Sequence, residues 1–251
     1  PAAPPLAPAA QGVVLTRVLL DGATAIPTAE LAPLWTPLLG RPVAPAVAPE
    51  RSASLLDTMK LDAVDPARLA VRVAPEASTA TVQTIVLSKD VAFKRPGNQV
   101  SLAVVDGVVQ PDAAQDTILL TVAERFGKTD NLPVAFIQGF GLTRGAIATS
   151  ASPDDNNIVC AGVTPADMAF AIDEVVRMGG GQVAVADGQV LAALPLPVGG
   201  IVADLPAEQM SDAERALDAA ARDELGSELP SPFGQLLFLS ITAIPDWAMT
   251  D

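Results

Sequence analysis

The chain has 251 residues, with 15 basic and 29 acidic side chains, a formal net charge of −14, one cysteine (Cys160) and no histidine. Without histidine, this chain alone builds no Ser-His-Asp triad, Cys-His dyad, histidine general base or histidine-ligated zinc, and one cysteine excludes internal disulfides, zinc ribbons and iron–sulfur clusters. The acidic balance excludes nucleic acid as the main partner, because neutralising a phosphate backbone takes clustered Lys and Arg.

Half the residues are apolar and the mean hydropathy is +0.38, much of it from Ala and Val. No apolar run reaches the ~18 residues of a membrane span, so no membrane partner is expected. Residues 1–10 lack the basic and long apolar regions of a signal peptide. With the lone cysteine, this leads to an expected cytoplasmic location.

Residues 1–50 hold ten of the 23 prolines. Proline lacks a backbone donor and fixes φ, so this stretch reads as a Pro-rich arm or linker, largely irregular. One strand pair is expected inside it, Val13–Leu15 with Val18–Leu20, running into the turn residues Asp21-Gly22. Any helix over residues 29–39 is brief. Leu34, Trp35, Leu38 and Leu39 would be costly to leave in water, so the arm is expected to wrap a surface.

A second domain is expected over residues 51–251. Strands are predicted at 69–73 and 81–87, where apolar residues alternate, and in a hairpin over 100–109 turning at Asp106-Gly107. Residues 116–123 read as a strand buried on both faces, with short strands at 134–137, 145–149 and 158–161. A helix follows with Thr164 as N-cap, Pro165 at its first position and Asp167 in its first turn; Met168, Ala171, Ile172 and Val175 form its apolar stripe and Gly179–Gly181 stop it. Residues 182–194 form a hairpin turning at Asp187-Gly188. Ser211 and Glu214 match a capping box for a second helix with Leu217, Ala221 and Leu225 on its stripe, ended by Gly226. A last strand is predicted at 236–241. The fold class is therefore α/β or α+β: mixed, mostly antiparallel sheets with two long helices.

Several stretches in order resemble one family. They are Gln138-Gly139-Phe140-Gly141-Leu142 leading through Arg144 to Gly145–Ser150; Asn157-Ile158 and Gly162; the Thr164 helix with Asp167 and Met168; Leu194–Pro197, Gly200 and Asp204–Glu208; Pro232-Phe233; and Ile244-Pro245. Their order and spacing resemble the C-terminal domain of bacterial adenine deaminases, in the amidohydrolase superfamily. The resemblance implies hydrolysis of adenine to hypoxanthine and ammonia by a metal-bearing TIM barrel upstream. A barrel needs about 250 residues, so the resemblance implies the accessory domain and not the catalytic one. No cofactor is expected in this chain, while a partner barrel would carry manganese, iron or zinc. The family usually has Arg-His-Gly at Arg125-Phe126-Gly127 and His-Asp-Ser-His-Asn at Pro153–Asn157, so all three of its histidines are replaced here.

The candidate ligand-contacting loop is Arg125 with Ser150, Asp154, Asp155, Asn156 and Asn157. Its oxygens suit a purine edge or a hard cation; they suit better an Asx-rich turn bonded to its own backbone. Pairing of Arg125 or Arg144 with Asp154 is expected, Glu124 reads as a solvated or paired carboxylate, and Cys160 reads as core. No catalytic residue and no metal ligand is assigned. The chain is read as a non-catalytic binding or assembly protein, a pseudoenzyme in a homo- or hetero-oligomer. The alternative is an accessory subunit or fragment of an adenine deaminase whose barrel is on another chain.

Overall fold

The structure is a computed structural model; it describes residues 55–87, 95–243 and 246–251, and the backbone at 13–14 and 42–43. The chain divides into two units, Pro1–Arg51 and Ser52–Asp251. In the first, β1 (Val13–Val14) pairs antiparallel with β2 (Pro42–Val43). The partner expected from the sequence, residues 18–20, and the apolar stretch at 34–39 lie outside the described residues.

The second unit is built on a mixed sheet. Its strands are β3 (Thr79–Val86), β4 (Gly97–Val105), β5 (Val108–Val109), β6 (Thr117–Ala123), β7 (Val134–Gln138), β8 (Ala146–Thr149), β9 (Ile158–Gly162), β10 (Gly181–Ala186) and β11 (Gln189–Pro195). Among the described residues they form one sheet in the order β11-β10-β8-β9-β6-β7-β3-β4-β5. All neighbours in it are antiparallel except β3 and β7. With α1 (Pro165–Arg177), α2 (Ala207–Ala219) and α3 (Pro232–Leu237), the class is the expected α/β or α+β.

The sheet lies between two apolar layers, and β6 shows why. All seven of its residues are buried, and side chains alternate across a strand. Ile118, Leu120 and Val122 enter the layer covered by α2 and α3. Leu119 and Ala123 enter the layer covered by α1. A strand with helices on both faces has no polar side to show, so it reads as a continuous apolar run.

The hairpins turn where expected, at Asp106-Gly107 and Asp187-Gly188, with all four residues at positive φ. α1 begins as expected: Thr164 Oγ1 accepts the Asp167 N–H at 3.1 Å, and Pro165 occupies the first turn.

Three expectations are corrected. Residues 69–73 are not a strand: Pro66–Leu69 is a 3-10 turn capped by Asp65, and only Arg72 makes a bridge, to Val108. Asp65-Pro66 is a strong helix start, and it overrides the short alternation beyond it. The second helix starts five residues early, at Ala207 behind Pro206, so Ser211 lies inside it instead of capping it. It then widens into a π turn, Ala220–Glu224, before Gly226 at φ +89°. Residues 236–241 are not a strand either. Pro232 opens α3, and the carbonyls of Phe238, Leu239 and Ile241 accept from the buried Arg95 guanidinium. A short, mostly apolar run is compatible with strand or helix; Pro232 starts a helix that takes in Leu236 and Leu237, and residues 238–240 continue as a turn.

Candidate functional site

The sheet register gathers four strand ends at one edge of the second unit. Ala123 pairs with Ile158, Thr149 with Val159, and Gln182 with Thr149. The segments that leave these ends, Glu124-Arg125, Ser150–Asn157 and Gly179–Gly181, therefore meet. Residues 55–60 and 198–202 join them.

Arg125 ties this edge together and is 1% exposed. Its Nε donates to the Asn156 carbonyl. Its Nη1 donates to Thr58 Oγ1 at 2.8 Å and to the Thr58 carbonyl at 3.3 Å. Its Nη2 donates to the Gly199 carbonyl at 2.9 Å. A planar guanidinium is the side chain that can bridge three separate chain segments in this way. Burial lowers its pKa and the nearby Asp155 charge raises it, with a net lowering. A group with an ordinary pKa above 12 remains a cation.

The 150–157 loop is bonded largely to itself and to its neighbours. Ser150 Oγ donates to the Gly200 carbonyl at 2.6 Å and accepts from the Gly181 N–H at 2.8 Å. Ser152 Oγ donates to Asp155 Oδ1 at 2.7 Å, and the Asn157 N–H donates to the same oxygen at 3.2 Å. The Asn156 N–H closes the turn onto the Ser152 carbonyl at 3.0 Å. Asp154 and Asn156 sit at positive φ, which Asp and Asn tolerate better than other side chains. Asp155 Oδ2 is buried without a hydrogen-bond partner among the described residues. The structure thus brings Arg125, Ser150, Asp155, Asn156 and Asn157 into one cluster, while Asp154 is exposed. The expected Arg–Asp154 pairing is corrected: Arg144 pairs with Asp187, and Arg125 bonds three carbonyls and the Thr58 hydroxyl.

Glu124 is the residue that sequence reasoning misjudged. It is 3% exposed, and its carboxylate accepts from the N–H groups of Phe126 at 2.6 Å, Lys128 at 2.8 Å and Thr129 at 3.1 Å. Burial pushes its pKa up, but backbone amides of Thr129, Lys128, Phe126 and Asp130 together outweigh that and hold it below the ordinary value. The signal was available: a Glu at a strand end followed by Gly127, Thr129, Asp130 and Asn131 is followed by a tight turn whose amides need an acceptor. The turn presents Phe126, whose ring lies 4.4 Å from the Arg125 guanidinium and 5.6 Å from Lys128 Nζ. It also forms a wall of a polar hollow of about 400 Å³ with Lys60 and Asp62.

Cys160 is fully buried on β9, and burial pushes its thiol well above the ordinary range, so it is a core residue. Among the described residues no group of three Cys, Asp or Glu side chains comes together to hold a metal ion, and no helix is long and apolar enough to cross a membrane.

Comparison with known proteins matches residues 95–251 to the adenine deaminase C-terminal domain. The chain is 49% identical to "Adenine deaminase 4" of Rhizobium meliloti (strain 1021), over 84% of this chain and 35% of that protein. It is 47% identical to "Adenine deaminase 1" of Latilactobacillus sakei, over 81% of this chain and 34% of that protein, and 45% identical to "Adenine deaminase 1" of Desulfotalea psychrophila, over 81% and 34%. The chain spans about a third of the length of the curated relatives it matches. It belongs to the adenine deaminase C-terminal domain family.

Proposed function

We propose that this chain serves as the accessory part of an adenine deaminase, with the hydrolytic chemistry carried by a metal-bearing barrel outside these 251 residues. The observation that carries the reading is the 49% identity over most of the chain to a protein named adenine deaminase, of which it spans only 35%. The manganese, iron or zinc expected of a partner barrel does not fit this chain's own side chains. There is no histidine, and the described carboxylates and the one thiol do not converge. The part assigned to this chain is therefore binding and positioning. Arg125 bonds the 150–157 and 198–202 segments and Thr58, and Glu124 bonds the amides of the turn that follows it, so both side chains are engaged in holding these segments in register.

A second reading, a non-catalytic binding or assembly protein independent of deamination, draws on the Arg125 edge. Phe126, Pro153 and Asn156 stand where the family usually has histidine; the Phe126 ring lies against the Arg125 guanidinium and the Asn156 carbonyl accepts from it. An exchange separates the readings. The residues of this chain that match the Rhizobium meliloti relative are grafted in place of their counterparts, and ammonia release from adenine is measured with manganese or iron. Deamination within about tenfold of the parent supports the accessory reading. A folded, metal-loaded chimera without turnover overturns it in favour of the second.

A further inference from the structure

β3 and β7, the parallel neighbours in the sheet, pair only through Thr84↔Phe136, Ile85↔Ile137 and Val86↔Gln138. Beyond Val86 the ladder continues, with the Leu87 N–H donating to the Gln138 carbonyl at 2.9 Å. Before Thr84 it stops. The next rung of a parallel ladder would take the Gln83 N–H to the Val134 carbonyl, and the strands part there instead. On their outer sides both strands stay paired, β3 with β4 as far as Thr79 and β7 with β6 as far as Val134. The gap is therefore a fixed notch, of about 420 Å³. Its lining comes from both apolar layers: Val82, Val134 and Phe136 from the layer under α1, and Ile85, Ala135 and Met249 from the other. Trp247–Met249 closes one side, held by the Trp247 N–H on the Arg95 carbonyl and the Met249 N–H on the Leu239 carbonyl, both at 3.1 Å. Trp247 is 48% exposed, and its Nε1 lies over Gly97, where a Cβ would come within 2.6 Å of it. Among the described residues no charged side chain lines the notch.

We propose that this notch binds a small, uncharged, planar heterocycle whose rim carries both a hydrogen-bond acceptor and a donor. The size is that of a small-molecule site, and the make-up is that of one too: apolar walls with a few polar groups at set positions. The uncharged lining excludes an ionic ligand, because a charge placed among apolar side chains without a partner is costly. The missing rung supplies the rest. A flat ring lying in the plane of the sheet meets side chains of one layer on each of its faces, and main-chain groups at its rim. The Gln83 N–H then finds an acceptor and the Val134 carbonyl a donor, the two partners that the parted strands deny each other. The Trp247 indole adds aromatic surface at the mouth. Since both strands are fixed by their outer neighbours, the site exists before the ligand arrives, and little ordering opposes binding. The proposal uses neither the relatives nor a barrel, so it stands apart from the accessory reading above.

The probe is quinolin-2-one, an uncharged two-ring lactam, titrated into the full 251-residue chain and followed by proton–nitrogen NMR. The Trp247 indole N–H, told from that of Trp35 by Trp247→Phe, and the Gln83 amide are expected to shift together and to saturate. The expected Kd is on the order of 100 µM, within reach of roughly eleven non-hydrogen atoms. 1-Methylquinolin-2-one keeps the rings and the carbonyl but has no N–H, and it should bind about tenfold more weakly because the Val134 carbonyl is left without a donor. Trp247→Ala, at a half-exposed position, should also weaken binding about tenfold, while Val190→Ser on the far edge strand β11 leaves it unchanged. No shift of either resonance at about 1 mM probe overturns the proposal. Equal binding of the methylated probe overturns it as well, and that comparison needs only the parent protein. Shifts that follow the protein concentration without any probe overturn it in favour of a second copy as the occupant.

Discussion

Replacing Arg125 by Met tests whether this edge is built as described. Methionine is of similar length and leaves no large cavity, but it donates nothing. The carbonyls of Asn156, Thr58 and Gly199 would lose their charged donor while remaining inside the protein. Thr58 Oγ1 would lose its partner, and Asp155 its nearby cation. A stranded buried acceptor costs about 1–3 kcal/mol, and relief from burying the guanidinium offsets part of that sum. Breaking a buried charged network from one side costs about 3–5 kcal/mol net. For a unit of this size that lowers Tm by roughly 10 °C. Urea unfolding followed by far-ultraviolet circular dichroism, with calorimetry for Tm, reads the change. Arg125→Lys should recover only part of the loss, because an ammonium point charge cannot span the three segments. An Arg125→Met protein within 1 kcal/mol of the parent would refute the reasoning, since the three carbonyls would then need no donor from this side chain.

Glu124→Gln should cost about 2 kcal/mol at neutral pH, because an amide oxygen replaces a carboxylate that satisfies three N–H groups. Its folded pKa is depressed, so its contribution is present above the unfolded value, about 4.3, and is lost as pH falls through the lower folded value; the variant should show a shallower loss of stability on acidification below about pH 4.5 in urea titrations. Gly145→Ala should unfold the protein at lower urea by more than 3 kcal/mol: φ is +69° and a Cβ there would lie 2.2 Å from the Val185 carbonyl oxygen. Thr164→Ala should cost about 1 kcal/mol by removing the α1 cap. Cys160 should react with a thiol reagent only as the protein unfolds, so its labelling rate should track the urea-dependent unfolding rate; fast labelling of the native chain would contradict its burial.

The elements legible in the sequence are those whose instructions are local. Asp-Gly pairs set the two hairpins, because their turn needs positive φ at both residues. Thr164, Pro165 and Asp167 start α1 because each satisfies an unpaired amide, lacks one, or complements the helix dipole. Apolar patterning marked β6 as buried on both faces. The family resemblance was legible because glycines and helix signals keep their spacing. The misses arise where distant partners outweigh local pattern. Within the 236–241 run, Leu236 and Leu237 end the helix that Pro232 starts, and the turn beyond it is anchored by Arg95, 143 residues from Phe238. The capping box at Ser211 yields to a start five residues earlier.

The candidate loop divides in the same way. Its Asp and Asn residues announced a turn, and the turn is there, with Asp154 and Asn156 in the left-handed region. Which charge Arg125 would meet was not in the sequence, because its partners lie 67, 31 and 74 positions away. Nor was the burial of Glu124, whose amide partners are local but whose desolvation comes from the packed edge. By itself the sequence determined the turns, the helix start, the buried strand and the absence of histidine chemistry, since these depend on side-chain type and near-neighbour geometry. Only the tertiary structure decided that the polar loop closes on a buried guanidinium and that Glu124 is desolvated, because both depend on which strand ends the sheet register brings together.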